Sequence, residues 1–124
     1  MSELNQQDCQ YDDAHQKALN LEEIDAYLVQ LPNWTYDSHS GTLHKQFSFK
    51  NYYHVISFVN AIAFIANKEA HHPDLTVSYD QCGVTFTTHD SGNQVTLNDL
   101  ICAAKVEALD NSGNFGPKSL KSND

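Results

Sequence analysis

Basic residues are scarce in this sequence, which has 7 Lys and Arg against 16 Asp and Glu and a formal net charge of -9. Such a surface repels nucleic-acid phosphates, and no Lys-rich or Arg-rich stretch offers a local exception. Long apolar runs are also missing. The longest run, about residues 56–66, is interrupted by Ser57 and Asn60 and is too short to cross a bilayer. We therefore expect neither direct nucleic-acid binding nor a membrane span.

Cysteine is the third scarce residue type. Cys9, Cys82 and Cys102 are an odd number without a CxxC pair, and no apolar signal segment follows Met1. The pattern predicts neither a disulfide framework nor a secreted protein, so we expect reduced thiols and a cytoplasmic location. A length of 124 residues indicates a single domain with one core.

The composition divides the chain into three parts. Residues 1–18 are polar and lack periodicity, which predicts a mobile leader. Residues 19–110 hold all the periodic segments and are expected to form the single domain. Residues 111–124 are rich in Gly, Ser and Asn, which predicts a disordered tail.

The periodic segments predict the order helix, hairpin, helix, hairpin, helix. Helices are expected at about residues 21–31, 51–68 and 97–109, the last with Ala108 on its inward face. Hairpins are expected at about residues 34–48 and 75–89, the second with its turn at residues 80–83. This order indicates a two-layer α+β domain, with a four-stranded antiparallel sheet and helices packed on one face. The middle helix is apolar on more than one side, which favours contact with another subunit as well as with the sheet.

A pair of adjacent histidines follows the middle helix. Pro73 disfavours the α region for the residue before it, so the helix is expected to end near His71, with His72 extended. Two imidazoles that diverge from a helix end could act as acid and base on one substrate. The alternative is a polar helix end at which the macrodipole favours cations.

A third histidine and an aspartate come later. Strand alternation places His89 on the face opposite Val84, at a strand end that enters a turn. Asp99 lies three residues after Thr96 in a capping-box pattern, so a structural role at the helix start is the better explanation. A capping aspartate can also face a pocket, which makes the two roles compatible.

The spacing of these residues resembles the signature of the pterin-4a-carbinolamine dehydratases. Five residues separate the His-His-Pro from an aromatic residue, nine more precede the third His, and another nine precede the Asp. The similarity extends over about residues 20–109, with Asn67 where many members carry an acidic residue. The matching residues are His71, His72, Pro73, Tyr79, His89 and Asp99.

The resemblance implies a hydro-lyase that dehydrates 4a-hydroxytetrahydropterin to quinonoid dihydropterin in tetrahydrobiopterin recycling. It implies catalytic acid and base roles for His71, His72 and His89. It also implies a pterin substrate, a homodimer or homotetramer, and a functional link to an aromatic amino-acid hydroxylase. Asp99, Pro73 and Tyr79 are implied to bind substrate or support the site. The dehydration requires no redox cofactor.

Two other function classes stay open. Three histidines could bind a metal ion, but adjacent ligands with diverging side chains suit one tetrahedral ion poorly, and no Cys or Glu lies at a customary zinc spacing. We therefore expect no metal. The second alternative is a non-catalytic module on the same fold, which oligomerises or binds a transcription partner, as members of the resembled family can.

Overall fold

In the computed structural model, which describes residues 3–116, helices cover one face of a four-stranded antiparallel sheet. The predicted fold class and order of elements are confirmed. Short 3-10 turns occur at Leu4–Gln6 and His89–Ser91. The strands are β1 (Thr35–Asp37), β2 (Thr42–Ser48), β3 (Asp74–Val77) and β4 (Gln81–Phe86), and the helices are α1 (Asp13–Gln16), α2 (Leu21–Leu28), α3 (Tyr52–Glu69) and α4 (Leu97–Asn111).

Two hairpins lie side by side in the sheet, in the strand order β1-β2-β4-β3. The central pair is β2 with β4, in a register that sets Leu43 opposite Phe86 and Phe47 opposite Cys82. All four of these side chains are buried, as expected for alternate residues that face the helices. The apolar alternation of two distant segments therefore fixes how the strands pair.

The first long helix, α2, begins as the sequence predicts. Asn20 Oδ1 accepts from the Glu23 amide at 2.8 Å, and Glu23 Oε1 accepts from the Asn20 amide at 3.0 Å, which completes a capping box. The helix ends at Leu28 and not near Leu31. The next residues tighten into a turn in which the Leu31 amide bonds to the Leu28 carbonyl, and this turn buries the Leu31 side chain.

The C-terminal end of α3 lies within two residues of the predicted one, but its cause is different. The helix stops at Glu69 because Ala70 adopts a left-handed conformation with φ +55°, before Pro73 can have its effect. The Ala70 amide then bonds to Asn67 O and the His71 amide bonds to Ala66 O, the pattern of a Schellman motif. The motif turns the chain sharply just before the histidine pair.

Replacing Ala70 by glycine should raise the free energy of unfolding by about 1 kcal/mol, because a Cβ is disfavoured in the left-handed region. The measurement is the urea midpoint at an unchanged denaturant slope. The matched control is Ala63→Gly, at an exposed interior position of α3, which should lower stability by about 1 kcal/mol. A loss of stability in Ala70→Gly would contradict the strain that we assign to this residue.

The second hairpin is placed differently from the prediction. Its turn lies at residues 78–80, and β4 ends at Phe86, so the prediction of a strand that continues to His89 is wrong. Gly83, predicted in the turn, lies inside β4, where a Cβ would come within 2.4 Å of Thr76 Oγ1 and 2.8 Å of Gln46 Oε1. Beyond Phe86, Thr88 still bridges to Gln94, and the chain between them forms the 3-10 turn.

Helix α4 lies at the centre of the helical layer. Ile101, Cys102, Ala103 and Val106 are all fully buried, so the helix is covered on several sides. The prediction that Ala108 faces inward is wrong, since this residue is exposed. Part of the cover comes from the N-terminal residues, which form no periodic pattern of their own.

The segment predicted as a mobile leader is described from residue 3, and it lies along α4. Leu4 is buried, Asn5 O accepts from Lys105 Nζ at 3.0 Å, and Cys9 Sγ lies 3.5 Å from Cys102 Sγ. Its mobility stays a prediction. Of the predicted tail, Phe115 packs edge-on against Phe58, and residues 117–124 lie outside the described residues. Within residues 3–116, no helix has the length and hydropathy needed to span a membrane.

Candidate functional site

A cleft of about 200 Å³ lies where the end of α3, the start of α4 and the turn after β4 meet. All three predicted histidines line it, although His89 is 17 or more residues away in sequence from the other two. His71 is nearly buried, with 10% of its side chain exposed, whereas His72 and His89 are exposed. The cleft therefore holds one enclosed imidazole and two that solvent or a ligand can reach.

The enclosed imidazole is held by a buried carboxylate. His71 Nε2 lies 2.5 Å from Asp99 Oδ1, and Asp99 is completely buried. The His71 ring also stacks on Phe86, with 6.0 Å between the ring centroids and 7° between the planes. A carboxylate oxygen accepts, so Nε2 carries the hydrogen, and in the neutral imidazole the lone pair is then on Nδ1. The hydrogen bond and the stacking together fix both the tautomer and the orientation of the ring.

The other oxygen of the same carboxylate caps α4. Asp99 Oδ2 accepts from the Thr96 amide at 2.9 Å and from Thr88 Oγ1 at 2.7 Å. Thr96 Oγ1 lies 2.8 Å from Thr88 Oγ1 and completes the network. The predicted capping geometry is confirmed, and the same aspartate also holds a cleft histidine. The role of Asp99 in activity stays a prediction.

Asp99→Asn should lower the free energy of unfolding by about 1–3 kcal/mol, because an amide group would turn one acceptor into a donor inside a ring of buried donors. We expect the His71 ring signals in an NMR spectrum to shift as well, since the imidazole loses its fixed acceptor. Asp25→Asn, an exposed carboxylate on α2, is the control and should change neither quantity. Unchanged stability together with unchanged His71 signals would contradict the double role of Asp99.

His89 is positioned by a local turn. It begins the 3-10 turn His89–Ser91, which ends in two left-handed residues, Gly92 at φ 79° and Asn93 at φ 59°. Asn93 folds back so that its Oδ1 lies 2.8 Å from His89 Nδ1. Glycine and asparagine tolerate this conformation best. The turn thus sets the direction of the imidazole without burying it.

The structure does not bring every predicted site residue to the cleft. Within residues 3–116, Pro73 and Tyr79 are not among the residues that line it. Pro73 directly follows the histidine pair and is partly buried. Tyr79 lies in the turn between β3 and β4 and is 67% exposed. Their predicted supporting roles are not tested by this geometry.

Among the lining residues that the sequence did not single out, three come from outside the segments that carry the histidines. They are Tyr11 and Gln16, from the predicted leader, and Asn98, from the first turn of α4. The first two lie in a polar segment without periodicity, and only the tertiary fold brings them to the histidines. Asn98 has a sequence signal, because it directly precedes Asp99 at the start of a helix.

The described residues contain no group of three His, Cys, Asp or Glu side chains arranged to hold a metal ion. A second cavity, of about 320 Å³, lies between the start of the described chain and the C-terminal half of α4. None of its lining residues is a histidine. The three histidines that were predicted to act as acid and base therefore lie in the smaller cleft and not in this second cavity.

The fold and the cleft together define the class of protein. The fold is an open four-stranded antiparallel sheet with helices on one face, and the cleft is lined by three imidazoles. The sequence model of the family described as pterin 4 alpha carbinolamine dehydratase matches residues 17–109. The chain belongs to this family.

Known proteins from several bacteria are similar to this chain. A protein of Nitrosospira multiformis, provisionally named pterin-4-alpha-carbinolamine dehydratase, is 50% identical over 91 residues, which cover 73% of this chain and 78% of that protein. A Legionella pneumophila protein with the same provisional name is 46% identical over 109 residues, which cover 87% of this chain and 96% of that protein.

A solved structure from Brucella melitensis shares the fold. It is described as a transcriptional coactivator/pterin dehydratase and is 30% identical, with a TM-score of 0.71. The match covers 75% of this chain and 98% of the Brucella chain. Both the enzymatic and the regulatory words in that description belong to the Brucella protein.

Proposed function

We propose that this protein dehydrates 4a-hydroxytetrahydropterin to quinonoid dihydropterin and water. One observation carries the proposal: three imidazoles line a single cleft, and one of them is held by a buried carboxylate. Family membership supports the pterin substrate class.

The reaction is an elimination of water that needs only acid and base groups. A proton is delivered to the hydroxyl on C4a, the C–O bond breaks, and water leaves. A proton is removed from N5, whose electrons form the new double bond to C4a. Imidazole is suited to both transfers because its unperturbed pKa lies near neutral pH.

The three histidines differ in how they are oriented and in how exposed they are, and therefore in the roles they can take in the reaction. His71 is oriented by Asp99 and by the Phe86 ring, so it is preorganised for proton transfer through Nδ1. His72 and His89 are exposed on the cleft and can approach the C4a hydroxyl. We propose that His71 takes part in acid–base catalysis and that His72 and His89 contact the region of the C4a hydroxyl.

The test uses substrate made in place by an aromatic amino-acid hydroxylase, with the absorbance change to quinonoid dihydropterin followed with and without the purified protein. We expect wild type to accelerate the change above the spontaneous rate. His39→Ala, an exposed histidine in the β1–β2 turn, should keep full activity. No acceleration by folded wild type would overturn the proposed function.

The same proposal includes a cytoplasmic role in tetrahydrobiopterin recycling and a homodimer or homotetramer. The exposed side of α3 supports the oligomer, since Phe64 is 73% exposed in the middle of that helix. Co-purification with, or genomic proximity to, an aromatic amino-acid hydroxylase would support the metabolic link.

The alternative is a binding module that uses α3 to contact another protein. The exposed Phe64 supports this function as well, because a large apolar side chain at the surface favours association. Light scattering on the purified protein distinguishes an oligomer of this chain from a module that binds a different protein. A dimer or tetramer that Phe64→Ser dissociates would assign this face to a second copy, and an inactive monomer would favour a different partner.

A further inference from the structure

The segment from residue 9 to residue 16, which we call the N-terminal arm, precedes the part of the chain that the family model matches. Two of its side chains, Tyr11 and Gln16, nevertheless line the cleft together with the three histidines. The attachments of the arm show what holds it there.

The first attachment joins the arm to the end of α3. Tyr11 Oη lies 2.5 Å from Glu69 O and 2.7 Å from Ala70 O, so its single hydroxyl hydrogen is shared between the two carbonyls that directly precede His71. The last carbonyls of a helix lack partners within the helix. Tyr11 is 55% exposed. Its partial burial, with the Cys9 and Cys102 thiols and the Glu69 carboxylate nearby, raises the pKa of Tyr11, so the hydroxyl is a protonated donor at neutral pH.

A second set of contacts fixes the start of the arm. The Cys9 amide donates to Glu69 Oε1 at 2.8 Å, and Glu69 is a buried residue. Asn98 holds the backbone of Gln10 on both sides, since its Oδ1 accepts from the Gln10 amide at 3.2 Å and its Nδ2 donates to Gln10 O at 2.8 Å. These hydrogen bonds fix the position of Tyr11 relative to the C-terminal end of α3.

The third attachment is at the opposite side of the cleft. Ser91 Oγ donates to Gln16 O at 2.6 Å, and Ser91 lies in the same 3-10 turn as His89. The arm therefore bonds at one end to the backbone before the histidine pair and at the other end to the turn that carries the third histidine. It spans the two elements whose relative position sets the distance between the imidazoles.

We propose that the N-terminal arm is part of the histidine site and that Tyr11 is a positioning residue. Its hydroxyl holds the left-handed turn at Ala70, so that the His71 and His72 side chains keep their directions. The hydrogen bond that Ser91 donates to Gln16 holds the 3-10 turn, so that the His89 side chain keeps its direction as well. The proposal concerns the geometry of the site and rests on the proposed function only where turnover is the readout.

The test compares Tyr11→Phe, which removes only the hydroxyl, with Tyr53→Phe, which removes the hydroxyl of a tyrosine on α3 that is 75% exposed. Imidazole NMR signals and steady-state kinetics are measured on the full chain. Tyr11→Phe should shift the His71 and His72 signals and leave those of His89 in place. We expect kcat/KM to fall about tenfold, less than the ~100-fold that a 1 Å misplacement can cost. Tyr53→Phe should match wild type.

Ser91→Ala provides the reciprocal measurement. It should shift the His89 signals and leave those of His71 and His72 unchanged, a pattern that a general loss of stability would not produce. If Tyr11→Phe moves the imidazole signals but wild type does not dehydrate the carbinolamine, the arm keeps its positioning role and the proposed function fails. Wild-type imidazole signals and wild-type kcat/KM in both variants would overturn the role of the arm.

Discussion

His72→Ala and His89→Ala should each lower the rate of carbinolamine dehydration by about 100-fold to 10,000-fold, the usual range for a lost general acid or base. Both side chains line the cleft and both are exposed. Removing them leaves no buried group without a partner, so the free energy of unfolding should change by less than about 0.5 kcal/mol. Turnover and urea unfolding are measured on the same preparations.

The control for both variants is His39→Ala, which removes an exposed imidazole that is not among the residues lining the cleft. It should retain both activity and stability. The assignment of His72 and His89 to the reaction would be wrong if both variants turned over substrate at the wild-type rate. A variant that lost activity only in proportion to its loss of folded protein would also count against it.

Glu107→Leu should destabilise the protein by about 3–5 kcal/mol, because it leaves a buried lysine without its counter-ion. Lys45 Nζ lies 2.8 Å from Glu107 Oε1 and 3.1 Å from Oε2, and their side chains are only 8% and 10% exposed. Trp34 Nε1 donates to the same carboxylate at 2.9 Å. The loss is a large share of the ~5–15 kcal/mol that stabilises a domain. Urea unfolding at a fixed denaturant slope measures it.

Two comparisons show whether the buried charge is the cause. Adding Lys45→Met to Glu107→Leu should recover most of the lost stability, since an apolar pair replaces the ion pair. Lys17→Met breaks the exposed contact of Lys17 with Glu23, at 3.9 Å, and should cost less than about 0.5 kcal/mol. A double variant as unstable as Glu107→Leu would mean that the carboxylate acts mainly through Trp34.

The sequence singled out histidines that the structure brings together, but it did not predict the path of the N-terminal residues around them. Its residue spacing led to His71, His72, His89 and Asp99, and the structure places the three imidazoles in one cleft with Asp99 behind His71. Their catalytic roles stay predictions. Tyr79 matched the same signature, yet it lies in the exposed turn of the second hairpin, because spacing along the chain does not fix the distance between side chains.

Two details of the secondary structure did not follow from the local sequence. The end of α3 was expected from Pro73, whereas Ala70 ends the helix in a conformation that alanine seldom adopts. Gly83 was expected in a turn, whereas it lies inside β4, where a Cβ would crowd the Thr76 and Gln46 side chains of the neighbouring strands. At Ala70 the local hydrogen bonds of the Schellman motif accompany the disfavoured conformation. At Gly83 the pairing of β4 with β2 and β3 outweighed the preference of glycine for turns.

The sequence by itself determined the features that depend on residues close along the chain. These are the order of helices and hairpins, set by the period of the apolar residues, and the caps at Asn20 and Thr96, set by partners three residues away. The tertiary structure alone decided the contacts between distant segments. Tyr11 meets a carbonyl 58 residues away, and Lys45 meets a carboxylate 62 residues away. No local pattern marks such pairs, because each partner reaches the other only after the sheet and helices have packed.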